Sequence, residues 1–220
     1  GEDLLFVNKQ FKNDKDVVLA AFIQDDDSFE YAGDKLKKDK DFMLAAVQQN
    51  HRVMERASDE LKEDRDFILD AVRENGWALQ YANDDLKRDQ EVLLAAVKQK
   101  GWALEFVSED LNGNKKMVLA AVRQNGLALR IASDDLKRDE EVVLAAVQHD
   151  GNALKHASKE LKADKDFVLT SIKERASALQ YATKKLKNDK NMALAAVRRD
   201  GKAFKYVADT AIKEIYKDKK

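Results

Sequence analysis

A period of 25 residues runs through almost the entire chain and limits the folds that it can adopt. Leucine recurs at this spacing in one column of the pattern: Leu19, Leu44, Leu69, Leu94, Leu119, Leu144, Leu169 and Leu194. Aspartate recurs in a second column, with Asn114 in the remaining place: Asp14, Asp39, Asp64, Asp89, Asp139, Asp164 and Asp189. The shared pattern approximates D-K-D-x-V-L-A-A-V-x-Q-N-G-x-A-L-x-Y-A-S-D-D-L-K-x. Self-similarity at a fixed period is typical of repeat proteins, whose units bury apolar surface only against their neighbours.

The first half of each repeat is predicted to be a short α-helix, which covers residues 15–24 in the first repeat. Asp14 precedes this helix and is a good N-cap, because its carboxylate can accept hydrogen bonds from the free amides of the first turn. We interpret the aspartate column as such caps and not as metal ligands, since one carboxylate per repeat with a lysine beside it is poor coordination for a hard cation. The run VLAAV is apolar on nearly all sides, which predicts a helix buried between its neighbours.

The second half of each repeat is predicted to be another short α-helix. In the third repeat Ala78, Leu79, Ala82 and Leu86 share one face of such a helix. A glycine column, represented here by Gly76, is expected to end the preceding helix in the left-handed conformation. A column of small polar residues is expected to cap a last tight turn: Ser58, Asn83, Ser108, Ser133, Ser158 and Thr183.

These features predict an all-α protein, an α-solenoid of tandem 25-residue helix-turn-helix repeats. The chain contains no proline, which fits helices joined by short turns. We expect residues 1–13 to be a half-repeat and residues 14–213 to form eight repeats in one solenoid domain. Residues 214–220 are expected to be a polar tail.

The repeated segments DKDFMLAAVQQN and ASDELKEDRDFILDAVRENGWALQYA resemble a helical repeat family described only as a domain of unknown function. Its units are paired copies of about 25 residues, found in large proteins of intracellular bacteria and protists. The resemblance implies a helical array, with no established activity and no catalytic residue to carry over. The chain departs from the pattern at residues 112–116 and beyond Val207.

Composition and motifs narrow the classes of function. A net charge of −1 does not suggest a dedicated nucleic-acid binder, so nucleic acid is an unlikely partner. The absence of cysteine excludes disulfides and thiolate metal sites, and the three histidines form no ligand cluster in the sequence. No apolar run approaches the roughly 20 residues that span a bilayer, and the N-terminus does not read as a signal peptide. Because no catalytic motif is present, we expect no enzymatic activity, no cofactor and no metal.

The two tryptophans mark the candidate binding surface. With about 100° per residue in an α-helix, Trp77 points away from the predicted core stripe, and Tyr81 shares its face. Three consecutive repeats are apolar at both positions: Trp77 with Tyr81, Trp102 with Phe106, and Leu127 with Ile131. The flanking repeats are polar there, with Arg52 and Arg56 on one side and Asn152 and His156 on the other. This pattern predicts an exposed apolar stripe with a polar rim, the signature of a protein-binding site. The alternative is a face that packs between repeats or against a part of the protein outside this sequence.

Charge is distributed unevenly along the chain. Residues 1–110 carry 26 acidic and 16 basic side chains, a charge of −10, while residues 111–220 carry 15 and 24, a charge of +9. The asymmetry favours head-to-tail self-association or two partners of opposite sign. Two other functions stay open. One is a polyanion binder that uses basic residues of the C-terminal half: Lys184, Lys185, Lys187, Arg198, Arg199 and Lys202. The other is a structural spacer within a larger protein.

Overall fold

The chain folds as an all-α, solenoid-like stack of repeats. The structure, a computed structural model, describes residues 11–107, 111–208 and 211, and within these residues there is no β-strand. The chain divides into two compact units, residues 1–108 and residues 109–220, which are described separately. Most of the predicted half-repeat 1–13 and all of the predicted tail 214–220 lie outside the described residues. The single solenoid domain stays a prediction.

One ten-residue α-helix opens each repeat, as predicted. The described residues contain eight such helices: Lys15–Gln24, Lys40–Gln49, Arg65–Glu74, Gln90–Gln99, Lys115–Gln124, Glu140–His149, Lys165–Glu174 and Lys190–Arg199. The predicted N-caps are confirmed, because the side chain before each helix accepts hydrogen bonds from amides of its first turn. Asp14, for example, accepts from the amides of Asp16 and Val17, each at 3.1 Å. The side chain of Asn114 likewise accepts a hydrogen bond from the amide of Met117 at 3.2 Å.

The second predicted α-helix is wrong in type and length. Six residues form a 3₁₀ helix in its place, in each of eight repeats of the described chain: Asp26–Tyr31, His51–Arg56, Gly76–Tyr81, Gly101–Phe106, Gly126–Ile131, Gly151–His156, Ala176–Tyr181 and Gly201–Tyr206. An extended residue separates it from the α-helix. In the third repeat this residue is Asn75, whose side chain accepts from the amide of Trp77 at 3.2 Å. The short helix thus has its own N-cap in six repeats, from Asp or Asn, whereas Lys100 and Arg175 stand in this column without a capping bond.

The predicted left-handed role of the glycines is also wrong. Within the described residues no glycine has a positive φ, and Gly76 begins the 3₁₀ helix instead of ending the α-helix. Its lack of a side chain serves close packing. A Cβ atom placed on Gly76 would lie 2.5 Å from the carbonyl oxygen of Ala96 in the next repeat. The glycine therefore lets the helix of the following repeat approach the backbone.

The small polar column caps the closing turn in part. Asn83 accepts from the amide of Leu86 at 2.9 Å, and Ser158 accepts from the amide of Leu161 at 3.2 Å. Ser133 does the same for Leu136 at 3.4 Å, whereas Ser58 and Thr183 make no such capping bond. Ser108 lies outside the described residues. The cap is thus confirmed in three repeats and absent in two.

Neighbouring repeats are joined by an ion pair that the sequence analysis did not predict. The basic residue that begins one α-helix contacts the capping aspartate of the next repeat, 24 positions later: Lys15–Asp39 at 2.6 Å, Lys40–Asp64 at 2.5 Å, Arg65–Asp89 at 2.8 Å, Lys115–Asp139 at 2.8 Å and Lys165–Asp189 at 2.8 Å. Each of these aspartates both caps its own helix and binds the preceding repeat. Lys15 and the Phe42 amide hold the pKa of Asp39 below its ordinary value. The partly exposed pairs each contribute little stability, on the order of 0.2–1 kcal/mol.

Candidate functional site

A groove of about 610 Å³ lies in the first unit, along the 3₁₀ helices of the first three repeats. Those helices are Asp26–Tyr31, His51–Arg56 and Gly76–Tyr81, and successive ones pack against each other. Four of the predicted site residues line this groove: Arg52, Arg56, Trp77 and Tyr81. The groove therefore joins part of the predicted stripe to one side of its predicted rim.

Two walls of the groove carry opposite charges. Asp26, Asp27 and Glu30 lie on the 3₁₀ helix of the first repeat, and all three are exposed. Arg52 and Arg56 lie on the next 3₁₀ helix, and both are exposed as well. A segment in the groove would thus meet carboxylates along one edge, and two guanidinium groups with the Glu55 carboxylate between them in sequence along the other.

The third repeat supplies an aromatic wall. The ring centroid of His51 lies 6.3 Å from that of Trp77 and 6.2 Å from that of Tyr81. The Tyr81 hydroxyl donates a hydrogen bond to Glu55 at 3.3 Å, which fixes the phenol against the second repeat. An aromatic side chain whose hydroxyl is already hydrogen-bonded is well suited to bind a partner, because it loses little conformational entropy when the partner makes contact.

Burial perturbs two titratable groups of this wall. It lowers the pKa of His51, and the neighbouring Arg52 charge lowers it further, although Glu55 opposes both effects. The imidazole is therefore neutral at neutral pH. Burial raises the pKa of Tyr81, and the Glu55 carboxylate adds to this rise, so the phenol keeps its proton.

The aromatic wall continues into the fourth repeat by a contact between repeats. The Trp77 ring meets the Phe106 ring edge to face, with centroids 5.6 Å apart and an interplanar angle of 73°. The prediction paired Trp77 with Tyr81 on one α-helical face. In the structure, the second residue of one 3₁₀ helix contacts the sixth residue of the next instead. A 3₁₀ helix advances about 120° per residue, so the predicted α-helical face does not exist.

The six stripe residues are partly buried and not fully exposed: Trp77, Tyr81, Trp102, Phe106, Leu127 and Ile131. The first four lie in the first unit, and Leu127 and Ile131 lie in the second unit. For Trp77, Phe106 and Tyr81, contacts with neighbouring 3₁₀ helices account for part of the lost exposure.

The other side of the predicted rim, Asn152 and His156, lies in the second unit, and both residues are partly buried. The Asn152 side chain accepts a hydrogen bond from the Tyr181 hydroxyl at 3.2 Å. Burial lowers the pKa of His156, and the charges of Lys155, Arg130, Lys137 and Lys162 lower it further. Asn152 therefore joins the sixth and seventh repeats, in addition to any role on the surface.

Within residues 11–107 and 111–208, no group of three or more His, Asp or Glu side chains is placed to hold a metal ion. No helix in the described part of the chain is long and apolar enough to cross a membrane.

A family model covers nearly the whole length of the chain. The model described as Domain of unknown function (DUF4116) matches residues 1–37, 23–62, 64–112, 114–162 and 164–210. The chain belongs to this family. Three DUF4116 matches begin at a capping residue, at positions 64, 114 and 164, and each spans about two of the 25-residue repeats. One DUF4116 unit is therefore a pair of the repeats described above, which confirms the resemblance. No curated protein and no solved structure matches the chain.

Several groove residues of this DUF4116 chain escaped the sequence analysis. Asp26, Asp27, Glu30, His51 and Glu55 line the groove and were not among the predicted site residues. The sequence could have indicated Asp27 as a site residue, because Asp27 lies in the same repeat column as Arg52 and Trp77. Consecutive repeats thus carry an acid, a base and an aromatic at one position, and that column lines the groove.

Proposed function

We propose that this protein is a non-enzymatic interaction module that binds a segment of a partner protein in the groove of its first three repeats. One observation carries the proposal: Arg52, Arg56, Trp77 and Tyr81 line a single groove together with the exposed acids of the first repeat. Arginine and large aromatic residues dominate the binding energy of protein interfaces, and here they lie side by side.

The stripe beyond the groove extends the proposed surface. Phe106 contacts Trp77, and Trp102 lies on the same 3₁₀ helix as Phe106. In the second unit, Leu127, Ile131, Asn152 and His156 are proposed separately as partner-binding residues. Partial burial does not argue against this role, because hot-spot residues are held by their neighbours before a partner arrives.

The main rival is a polyanion ligand on the basic C-terminal repeats. Lys184, Lys185, Arg198 and Lys202 are exposed, which such a ligand requires. Binding of that kind loses affinity steeply as salt is added, whereas binding to an aromatic groove responds much less. The spacer alternative predicts that neither surface binds anything.

The test is affinity capture from an extract of the source cells, followed by quantitative binding of the captured partner to purified variants. Arg52→Glu with Arg56→Glu should abolish binding, and Trp77→Arg should weaken it at least tenfold, because Trp77 lies centrally in the proposed surface. Arg123→Glu with Lys173→Glu is the matched control, since it makes the same charge change on two exposed α-helix residues of the second unit. A partner that binds the groove variants as well as the native chain would refute the proposal. Loss of binding only on Arg198→Glu with Lys202→Glu would assign the function to the polyanion surface.

A further inference from the structure

Equivalent residues of three consecutive repeats line the groove in chain order. Asp27, Arg52 and Trp77 each hold the second position of their 3₁₀ helix, 25 residues apart, and all three line the groove. An acidic, a basic and an aromatic side chain therefore follow each other along the groove at steps of one repeat.

The length of this step is the spacing of two packed helices. Side chains of neighbouring 3₁₀ helices touch directly, since the Tyr81 hydroxyl donates to Glu55 at 3.3 Å and the ring centroids of His51 and Trp77 lie 6.3 Å apart. Helices in direct contact lie about 8–10 Å apart. A ligand that contacts all three repeats therefore needs three anchoring side chains at intervals of about 8–10 Å.

Among the regular conformations of a peptide, the polyproline II helix fits this interval with all anchors on one side. It has three residues per turn and rises about 3.1 Å per residue, so residues i, i+3 and i+6 share one face at steps of about 9 Å. In a β-strand, two residues about 10 Å apart are three positions apart and point to opposite faces. An α-helix needs about six residues for 9 Å, which is about 1.7 turns and directs the second anchor away from the groove.

The charges of the first two repeats decide the first two anchors. Asp27 and Arg52 are both exposed, and no ion pair joins the walls that carry them in the described part of the first unit. Glu55 lies on the wall of Arg52, but its carboxylate already accepts the Tyr81 hydroxyl, and Arg56 adds a second guanidinium to that wall. Charge complementarity therefore favours a cation at the first repeat and a carboxylate at the second.

We propose that the groove binds a proline-rich segment of a partner protein in the polyproline II conformation, with a basic, an acidic and a large apolar residue at positions i, i+3 and i+6. The cation lies at Asp27, the carboxylate at Arg52 and the apolar side chain at Trp77. Aromatic grooves are a recurrent docking site for proline-rich segments, whose preformed backbone loses little entropy on binding. The inference rests on the proposed function and adds to it the conformation and the residue pattern of the bound segment.

Fluorescence anisotropy with labelled, end-blocked peptides tests the proposal. The first peptide is lysine, two prolines, glutamate, two prolines and phenylalanine. Its matched control has the lysine and the glutamate exchanged, which keeps composition and net charge but brings each charge to a wall of its own sign. We expect the purified chain to bind the first peptide at least tenfold more tightly than this control. A third peptide, with one more proline in each spacer, moves the anchors off one face and should bind at least tenfold more weakly too.

The protein allows the reciprocal exchange. Asp27→Arg with Arg52→Asp keeps the composition of the chain, and this column accepts either sign of charge, since Lys202 also stands in it. The variant should lose the preference for the first peptide. Arg123→Glu with Lys173→Glu, on exposed α-helix residues of the second unit, should keep that preference. Circular dichroism should report unchanged helix content for both variants.

Equal affinity for the first peptide and its exchanged control, or no binding of any peptide at millimolar concentration, would overturn the proposal. An unchanged preference in the Asp27→Arg, Arg52→Asp variant would overturn it as well. The captured partner judges the proposed function separately. A partner that is lost on Arg52→Glu with Arg56→Glu, but whose bound segment lacks this pattern, would keep the groove as the binding site and refute only the polyproline II assignment.

Discussion

The indole of Trp77 meets the ring of Phe106 edge to face, at a centroid distance of 5.6 Å, across the junction of the third and fourth repeats. The second repeat carries Arg52 in the column of Trp77, and the fifth carries Ile131 in the column of Phe106. The fold therefore accepts non-aromatic residues in both columns. The stacking of repeats therefore does not require aromatic residues at these two positions, and the Trp77–Phe106 pair is specific to the third and fourth repeats.

Replacing either ring by a residue native to its column should cost little stability. We expect Trp77→Arg and Phe106→Ile to lower the free energy of unfolding, with a coupling of about 0.5–1.5 kcal/mol between them, the usual value of an aromatic pair. A double-mutant cycle from urea denaturation measures this coupling. A coupling near zero would mean that the two rings contribute only through their separate burial.

Gly76 and Gly201 should respond differently to the same substitution. We expect Gly76→Ala to destabilise the protein by about 1–3 kcal/mol, because its Cβ would press on the backbone of the next repeat. Gly201→Ala should be neutral or slightly stabilising, since no atom of the described residues lies within 4 Å of the added Cβ and the unfolded chain loses conformational freedom. Thermal unfolding of both variants at low protein concentration provides the comparison. Equal losses at the two positions would contradict the close-packing role of Gly76.

Ser171 is a buried hydroxyl without a hydrogen-bond partner in the described structure. Its column holds alanine in the other seven repeats: Ala21, Ala46, Ala71, Ala96, Ala121, Ala146 and Ala196. We expect Ser171→Ala to raise the free energy of unfolding by about 1 kcal/mol, the cost of an unsatisfied buried hydroxyl. Thr170→Ala, on the neighbouring exposed residue, should stay within about 0.5 kcal/mol. Urea denaturation measures both, and a destabilised Ser171→Ala would point to a bound water that the hydroxyl holds.

His156 should make the stability depend on pH. Its pKa lies below the ordinary value of 6.5 in the folded chain, so the unfolded chain binds the proton more readily. The contribution of His156 to the free energy of unfolding should therefore be at its maximum above pH 6.5. It should decrease as the pH falls from 6.5 through the lowered pKa of the folded state. His156→Tyr, which places there the residue of Tyr181, should reduce this dependence. Urea denaturation at a series of pH values is the measurement, and identical slopes for the two proteins would contradict the prediction.

Asp189 allows the two tasks of a capping aspartate to be separated. Asp189→Asn keeps a capping oxygen, as Asn114 shows, but removes the ion pair with Lys165. We expect it to cost on the order of 0.5 kcal/mol, the value of an exposed pair. Asp189→Ala removes both tasks and should cost about 1–2 kcal/mol. Chemical denaturation gives both values, and equal costs would mean that the cap contributes nothing.

The 25-residue period of the sequence correctly predicted the parts of the fold that are set by residues within a single repeat. The α-helix Lys15–Gln24, its Asp14 cap and its buried residue Val18 all follow from local spacing. The 3₁₀ segment did not, because the same apolar spacing fits either helix type over six residues, and the Asn75 cap that separates them was overlooked. Gly76 was misread for a related reason, since its constraint comes from Ala96 in another repeat.

The candidate site was predicted in part for the same physical reason. The sequence identified Trp77 and Arg52 as site residues because the residue type in their repeat column changes from one repeat to the next. Glu55 did not stand out, yet it orients Tyr81 from the neighbouring repeat at 3.3 Å. Contacts between repeats depend on how the units stack, and the stagger that pairs Trp77 with Phe106 is set by the 3₁₀ geometry that the spacing did not reveal.

The ion pair that joins Lys15 to Asp39 spans 24 positions, and so does the pair that joins Lys40 to Asp64. If residues 39–63 were deleted, Lys15 would stand 24 positions before Asp64 and could form the same pair. Loss of this copy therefore strands no charge at the junction and leaves no helix without its cap. Where two such ion pairs follow each other, the length of the protein can change in evolution by a whole copy while the junction keeps its chemistry, and the sequence of each copy stays free to diverge at the 3₁₀ surface.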